Sequence, residues 1–275
     1  MRDVPDLRMN NGNEIPQIGL GLRLIDVQDL PAVLGQAVAM GYRLIDTAQT
    51  YGNEQGIGTA IRRGTVNRDD LFITTKIANR NQGRSRTLSS FDESLQRLGT
   101  EVVDLCLVHW PQPMYDQYVE TWRTLVELGN EGRTRAVGVS NFTVACLERI
   151  IDETGVVPAV NQVELHPQLP QSDLLRCHAE LGILVQAWAP FGHGQVLANP
   201  VVRQIASEKA KSPAQVVLRW HLQRGTIVLP KSAALGHMKE NLDVWDFELT
   251  AQDTARLAQI PTRRLGPDPE SMADR

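Results

Sequence analysis

Short apolar runs alternate along the chain with longer segments in which apolar residues recur every three or four positions, and each pair takes roughly 25 to 35 residues. Isolated apolar runs predict buried strands, and the longer periodic segments predict amphipathic helices. Residues 7–10 and 15–18 flank Asn11-Gly12-Asn13, whose Asn and Gly tolerate positive φ, so the chain is expected to open with a β-hairpin. Eight further strands are predicted at 19–22, 43–45, 71–75, 103–108, 136–139, 159–163, 183–187 and 226–229. Helices are predicted between them at 30–40, 54–63, 85–98, 118–128, 144–152, 173–180 and 213–223, with Asn53 as the N-cap of the second. No linker-like stretch divides the series, so one domain over 1–275 is expected.

Eight strands alternating with helices fit a closed (β/α)8 TIM barrel or an open doubly wound sheet, and the polar residues choose between them. An open sheet gathers ligand groups at one switch point, whereas a barrel collects them from the ends of nearly every strand. Here Asp46, Lys76, His109, Ser140-Asn141, Gln162 with Glu164, Trp188 and Lys231-Ser232 fall at successive strand ends. The expected fold is therefore an α/β barrel with an N-terminal hairpin.

The formal charge of -4, from 28 basic and 32 acidic residues, provides no basic stripe for nucleic acid and no polybasic segment for a membrane. Cys106, Cys146 and Cys177 are odd in number and widely spaced, which argues against disulfides and thiolate metal sites, and the N-terminus has no signal-peptide core. A cytoplasmic protein without a metal is expected. No complete G-x-G-x-x-G follows a strand, since Leu24 stands where a third glycine would be needed, and no P-loop motif occurs.

The stretch GYRLIDTAQTYGNE is where chemistry is expected to start, because it sets Asp46 at a strand exit and Tyr51 in the loop beyond. A phenol with an ordinary pKa near 10 is a weak proton donor at neutral pH, but a nearby ammonium stabilises the phenolate and lowers that value. Lys76 is suited to supply the charge, Asp46 to hold Lys76, and His109 to orient a carbonyl oxygen. Read without further help, the same residues leave room for a Schiff-base lyase with Lys76 as nucleophile.

GYRLIDTAQTYGNE, FITTK, VDLCLVHWP, RAVGVSNF, NQVELHP and PKSA followed by ENLDVWDFELT together resemble, in order, the sequence blocks of the aldo-keto reductases. The nearer likeness is to bacterial 2,5-diketo-D-gluconate reductases, through VVPAVNQVELHP, SPAQVVLRWHLQ and a tryptophan at 188. The resemblance implies a catalytic tetrad of Asp46, Tyr51, Lys76 and His109, with Tyr51 as general acid, and NADPH as cofactor. It places Ser140, Asn141 and Gln162 on the nicotinamide carboxamide, and the indole of Trp188 on the ring. Ala189, Phe191 and Gly192 would lie along the pyrophosphate. Lys231, Ser232, Ala233 and His237 would lie near the 2′-phosphate, and Glu240 and Asn241 near the adenine.

The relatives carry arginine where this chain has Ala234 and His237, so NADH is expected to be tolerated beside NADPH. His109, Trp110 and Arg23 are expected to line the substrate pocket. Ala78, where relatives place a tryptophan, should make that pocket roomier, and the short polar segment at about 262–275 should border it. The implied activity is reduction of small dicarbonyls or keto-sugars, such as 2,5-diketo-D-gluconate, by a monomer, and the same resemblance leaves room for a non-catalytic nicotinamide-binding regulator of this fold.

Overall fold

The structure, a computed structural model, describes residues 4–273. A two-stranded antiparallel hairpin, β1 (Asp6–Arg8) and β2 (Glu14–Pro16), turns at Gly12, whose φ of 88° is easy only for glycine. Eight parallel strands follow: β3 (Gly19–Gly21), β4 (Leu44–Asp46), β5 (Phe72–Ile77), β6 (Leu105–Val108), β7 (Val137–Ser140), β8 (Val160–Glu164), β9 (Leu184–Trp188) and β10 (Ile227–Val228). Each pairs with its sequence neighbour, and the first meets the last. Ile18 bridges Val228 and Gly21 bridges Lys231, with Val228 N–H donating to Gln17 O at 3.0 Å and Gly21 N–H to Pro230 O at 3.2 Å. That closure selects the barrel over the open sheet.

The helices wrap the outside: α1 (Leu30–Met40), α2 (Glu54–Arg62), α3 (Arg84–Leu98), α4 (Tyr118–Asn130), α5 (Val144–Thr154) and α6 (Ser172–Leu181) each link two successive strands. Two helices, α7 (Pro200–Lys209) and α8 (Pro213–Leu222), lie between β9 and β10, and α9 (Leu235–Leu242) and α10 (Ala251–Leu257) complete the ring. Of these, α7, α9 and α10 lie outside the helices that hydrophobic periodicity marks. The second helix begins as expected after Asn53, but the Asn53 side chain does not cap it. It instead accepts from Thr47 Oγ1 at 2.6 Å and donates to Leu22 O at 2.9 Å, tying the β3 and β4 exits together.

The hairpin seals one end of the barrel. Met9 and Ile15 pack on the inward-facing Leu44, Leu105, Leu107, Val160, Ile227 and Leu229, while Asn10, Asn11 and Asn13 hold the loops that precede β7 and β8. Apolar side chains thus fill the floor, and the polar strand ends are gathered at the opposite, carboxyl-terminal mouth.

Candidate active site

Asp46 is the last residue of β4, and Lys76 lies one place short of the end of the neighbouring β5, so both face the barrel interior just below its mouth. Lys76 has no accessible surface. Its Nζ donates to Asp46 Oδ1 at 2.7 Å, to Oδ2 at 2.8 Å and to Thr47 O at 2.9 Å, and lies 3.5 Å from the Tyr51 hydroxyl. Tyr51 reaches this point from the short 3-10 turn Gln49–Tyr51, and its ring meets His109 edge-on at 6.0 Å. His109 follows β6 directly. The four residues that the sequence singles out are therefore brought together.

Their charge states follow from burial and from each other. Burial pulls the Lys76 ammonium down, but Asp46 and then Tyr51 pull harder, so its pKa ends above the ordinary 10.5 and the group stays charged. Burial pushes the Tyr51 phenol up, and the opposing pull of Lys76 does not overcome it. This corrects the expectation of a lowered phenol pKa. His109 is pushed down to about 3, by burial first and then by Lys76 and Arg23, so its imidazole is neutral. Its Nδ1 is buried without a hydrogen-bond partner. A charged, fully paired and inaccessible Lys76 is a poor nucleophile, which weighs against a Schiff-base lyase.

A second cluster extends from this one along β7, β8 and β9. Gln162 Nε2 donates to Asp46 Oδ2 at 2.8 Å and to Gln186 Oε1 at 2.7 Å. Ser140 Oγ donates to Gln162 O at 2.8 Å, and Asn141 Nδ2 donates to His109 O and to Ser140 Oγ, each at 3.0 Å. Trp188 Nε1 closes the chain by donating to Asn141 Oδ1 at 2.8 Å. Asn141 sits at a φ of 62°, a left-handed position that Asn tolerates better than most residues. Beside this cluster is a hollow of about 310 Å³ bordered by Asn141, Thr143, Glu164, Gln171, Arg264 and Pro269.

Past Trp188 the chain turns through Ala189 at φ 48° and Gly192 at φ 53°, with Phe191 half-buried against the core. At the barrel seam Lys231, Ala233, Ala234 and His237 are exposed, and Ser232 Oγ accepts from Ala234 N–H at 3.1 Å. The first turn of α9 has no side-chain cap, so its backbone N–H groups are open to an anion. Glu240 is half-buried, whereas Asn241 is buried and hydrogen-bonds Tyr42. The donor set suits a phosphorylated nicotinamide dinucleotide: an amide and a hydroxyl at β7, a flat ring at β9, backbone turns beyond it, and a lysine with free helix N–H groups at the seam.

Among the expected pocket residues, Arg23 is exposed at the end of β3, close enough to act on both Tyr51 and His109. Trp110 is largely buried, and its carbonyl accepts from Gln82 Nε2 at 2.6 Å. Ala78 is 1% exposed, with its N–H held by Gln49 Oε1 at 2.8 Å, so it adds no open space to the wall. Reading by motif assigned no role to Glu164. Its buried carboxylate accepts from His166 Nε2 at 3.0 Å and from the backbone N–H groups of Leu265 at 2.7 Å and Gly266 at 2.8 Å. The available signal was the carboxylate itself, at the end of an otherwise apolar strand, where it must find partners. Among the described residues, no group of three or more His, Cys, Asp or Glu side chains could hold a metal ion, and no helix is long and apolar enough to cross a membrane.

A family model described as "Aldo/keto reductase family" matches residues 17–261. The chain is 48% identical over 268 residues to an aldo-keto reductase of Mycolicibacterium smegmatis, covering 97% of this chain and 98% of that protein. It is 42% identical over 267 residues to the methylglyoxal reductase DkgA of Escherichia coli, with 96% of each covered. A solved mutant of Gox0644 in complex with NADPH superposes with a TM-score of 0.94 at 42% identity, over 99% of this chain and 100% of that one.

Proposed function

The chain belongs to the aldo/keto reductase family, and from that premise we propose that it is an NADPH-dependent carbonyl reductase in which Tyr51 is the general acid. The observation that carries this reading is the buried Lys76 ammonium, gripped by Asp46 and 3.5 Å from the Tyr51 hydroxyl. When bound, NADPH would supply the hydride. The protein's own groups do the rest. Tyr51 donates its proton to the carbonyl oxygen, and Lys76 stabilises the phenolate left behind. Asp46 keeps Lys76 charged and in place, and neutral His109 orients the carbonyl by hydrogen bonding instead of competing as an acid.

Ser140, Asn141 and Gln162 are assigned to the nicotinamide carboxamide, whose donor and acceptor their side chains match. Trp188 presents a flat face for the ring. Small dicarbonyls and keto-sugars are the proposed substrates, supported by the likeness to a methylglyoxal reductase and by a mouth in which exposed Arg23 favours polar compounds. Lys231 and the open N–H groups of α9 serve the 2′-phosphate, while Ala234 and His237 leave it short of cations. NADPH should accordingly be preferred over NADH by a modest margin.

The test is to follow NADPH absorbance with methylglyoxal, 2,5-diketo-D-gluconate and simple aldehydes. Carbonyl-dependent oxidation of NADPH is expected. Absence of turnover with every carbonyl, despite measurable NADPH binding, would favour the non-catalytic regulator instead.

A further inference from the structure

Trp188 is held at two points, its ring nitrogen and the tip of its six-membered ring. Its Nε1 donates to Asn141 Oδ1 at 2.8 Å, and its Cη2 and Cζ2 lie against the backbone of Gly266. A Cβ at position 266 would stand 2.4 Å from Trp188 Cη2 and 2.9 Å from Glu164 Oε2, closer than side chains approach one another, so only glycine fits without something moving. Gly266 is brought there by Glu164, whose two carboxylate oxygens accept from the successive N–H groups of Leu265 and Gly266. Leu265 in turn lies beside Gly192, in the turn that follows Trp188. From Gly266 the segment continues over the mouth to the loop after β6, where Gln112 and Tyr115 donate to the carbonyls of Met272 and Ala273.

We propose that the carboxy-terminal segment is a positioning element for the cofactor: clasped by Glu164, it presses Gly266 against Trp188 and fixes the plane on which the nicotinamide stacks. The proposal rests on the reading of Trp188 as the stacking partner. A ring held at its nitrogen and at its far tip cannot turn about its side-chain torsions without losing one contact, so it presents its face before the cofactor arrives. Less ordering is then left for binding to impose. A segment that served only as a wall for the carbonyl substrate would have no need of a glycine packed on the indole, nor of a buried carboxylate whose two oxygens define the backbone position. Glu164 is thus a positioning residue that acts through Gly266 and Trp188, at one remove from the reacting atoms.

The experiment is a double-substitution cycle read by the NADPH dissociation constant, measured by calorimetry without any carbonyl present. Gly266→Ala should weaken NADPH about tenfold by displacing the indole, and Trp188→Phe should weaken it about tenfold by removing most of the stacking surface. In the Trp188→Phe background Gly266→Ala should have almost no further effect, because the smaller ring ends short of the added methyl. Multiplicative losses, or an unchanged constant in Gly266→Ala, would overturn the proposal. If Trp188→Phe alone bound NADPH as tightly as the wild type, the stacking reading itself would fall, and the proposal with it. Should circular dichroism show Gly266→Ala unfolded, Glu164→Gln substitutes. It turns an NH2 group toward one of the two backbone donors, and its loss of NADPH affinity should likewise vanish in the Trp188→Phe background.

Discussion

Replacing Asp46 by asparagine tests the centre of the site with almost no change of shape. In the wild type both Asp46 oxygens accept from Lys76, at 2.7 and 2.8 Å, and Oδ2 also accepts from Gln162 Nε2. An asparagine has one oxygen for these donors and turns an NH2 group toward the others. Lys76 has no accessible surface, so water cannot replace the lost carboxylate. Removing one partner of a buried ion pair costs about 3–5 kcal/mol, a large part of the roughly 5–15 kcal/mol that typically holds a domain together. The pH dependence should also change sign. In the wild type the Lys76 pKa is raised, so the stability it contributes is complete below the ordinary 10.5 and is lost only as pH rises through the folded value. Without Asp46, burial dominates and the folded pKa falls below that of the unfolded chain. The unfolded state then binds the extra proton at neutral pH, and the variant gains on the wild type as pH rises, by up to about 1.4 kcal/mol per pH unit. Urea unfolding of both proteins from pH 6 to 9 measures the difference. A loss below about 1 kcal/mol, or a gap that does not narrow toward pH 9, would mean that Lys76 is neutral or hydrated in the wild type and that the reasoning is wrong.

Three further outcomes are expected. Tyr51→Phe removes the proton donor and little else, so turnover should fall by about 10²- to 10⁴-fold while the NADPH dissociation constant stays put; more than a tenth of wild-type turnover would disprove the role. Because burial holds the Tyr51 phenol above its ordinary 10.0 and His109 is pushed down to about 3, turnover at saturating cofactor should be level from pH 6 to 9, and a limb centred near pH 7 would contradict both assignments. His237→Arg, alone or with Ala234→Arg, should tighten NADPH by about one to two decades and leave NADH nearly unchanged, since one charged hydrogen bond is worth about 1.5–3 kcal/mol; equal tightening of both would mean that these exposed positions do not face the 2′-phosphate.

The barrel was legible because its strands are short apolar runs and its polar residues recur at their ends, a spacing that an open sheet does not produce. Boundaries were less so. Asp46, Ser140, Glu164 and Trp188 are the last residues of their strands, and Lys76 lies within one, because the upper layer of this barrel is lined by side chains that satisfy each other instead of by hydrocarbon. An apolar pattern stops short of such positions. The helices α7, α9 and α10 escape a strict strand–helix rhythm for another reason: α7 shares one connection with α8, and α9 and α10 come after the last strand, where no further strand sets the spacing.

Residue types predict which chemistry a site can do, but partners decide how each group behaves, and partners come from the fold. Asn53 has the right identity and position for a helix cap, yet Thr47 and Leu22 engage its side chain in the core. Tyr51 shows the same limit in electrostatics. A lysine beside a phenol argues for a lowered pKa, but the barrel that brings them within 3.5 Å also removes the water that would solvate a phenolate, and the second effect is larger. The result favours the proposed reaction. A phenol that kept a proton only weakly would be partly ionised before substrate arrived, whereas one held protonated by burial delivers its proton only when the oxygen it faces acquires negative charge. At that moment the paired ammonium of Lys76 is already in place to stabilise the phenolate. In the proposed reaction, desolvation and Lys76 therefore divide the work between the resting state and the proton transfer, with Asp46 holding Lys76 charged in a dry site.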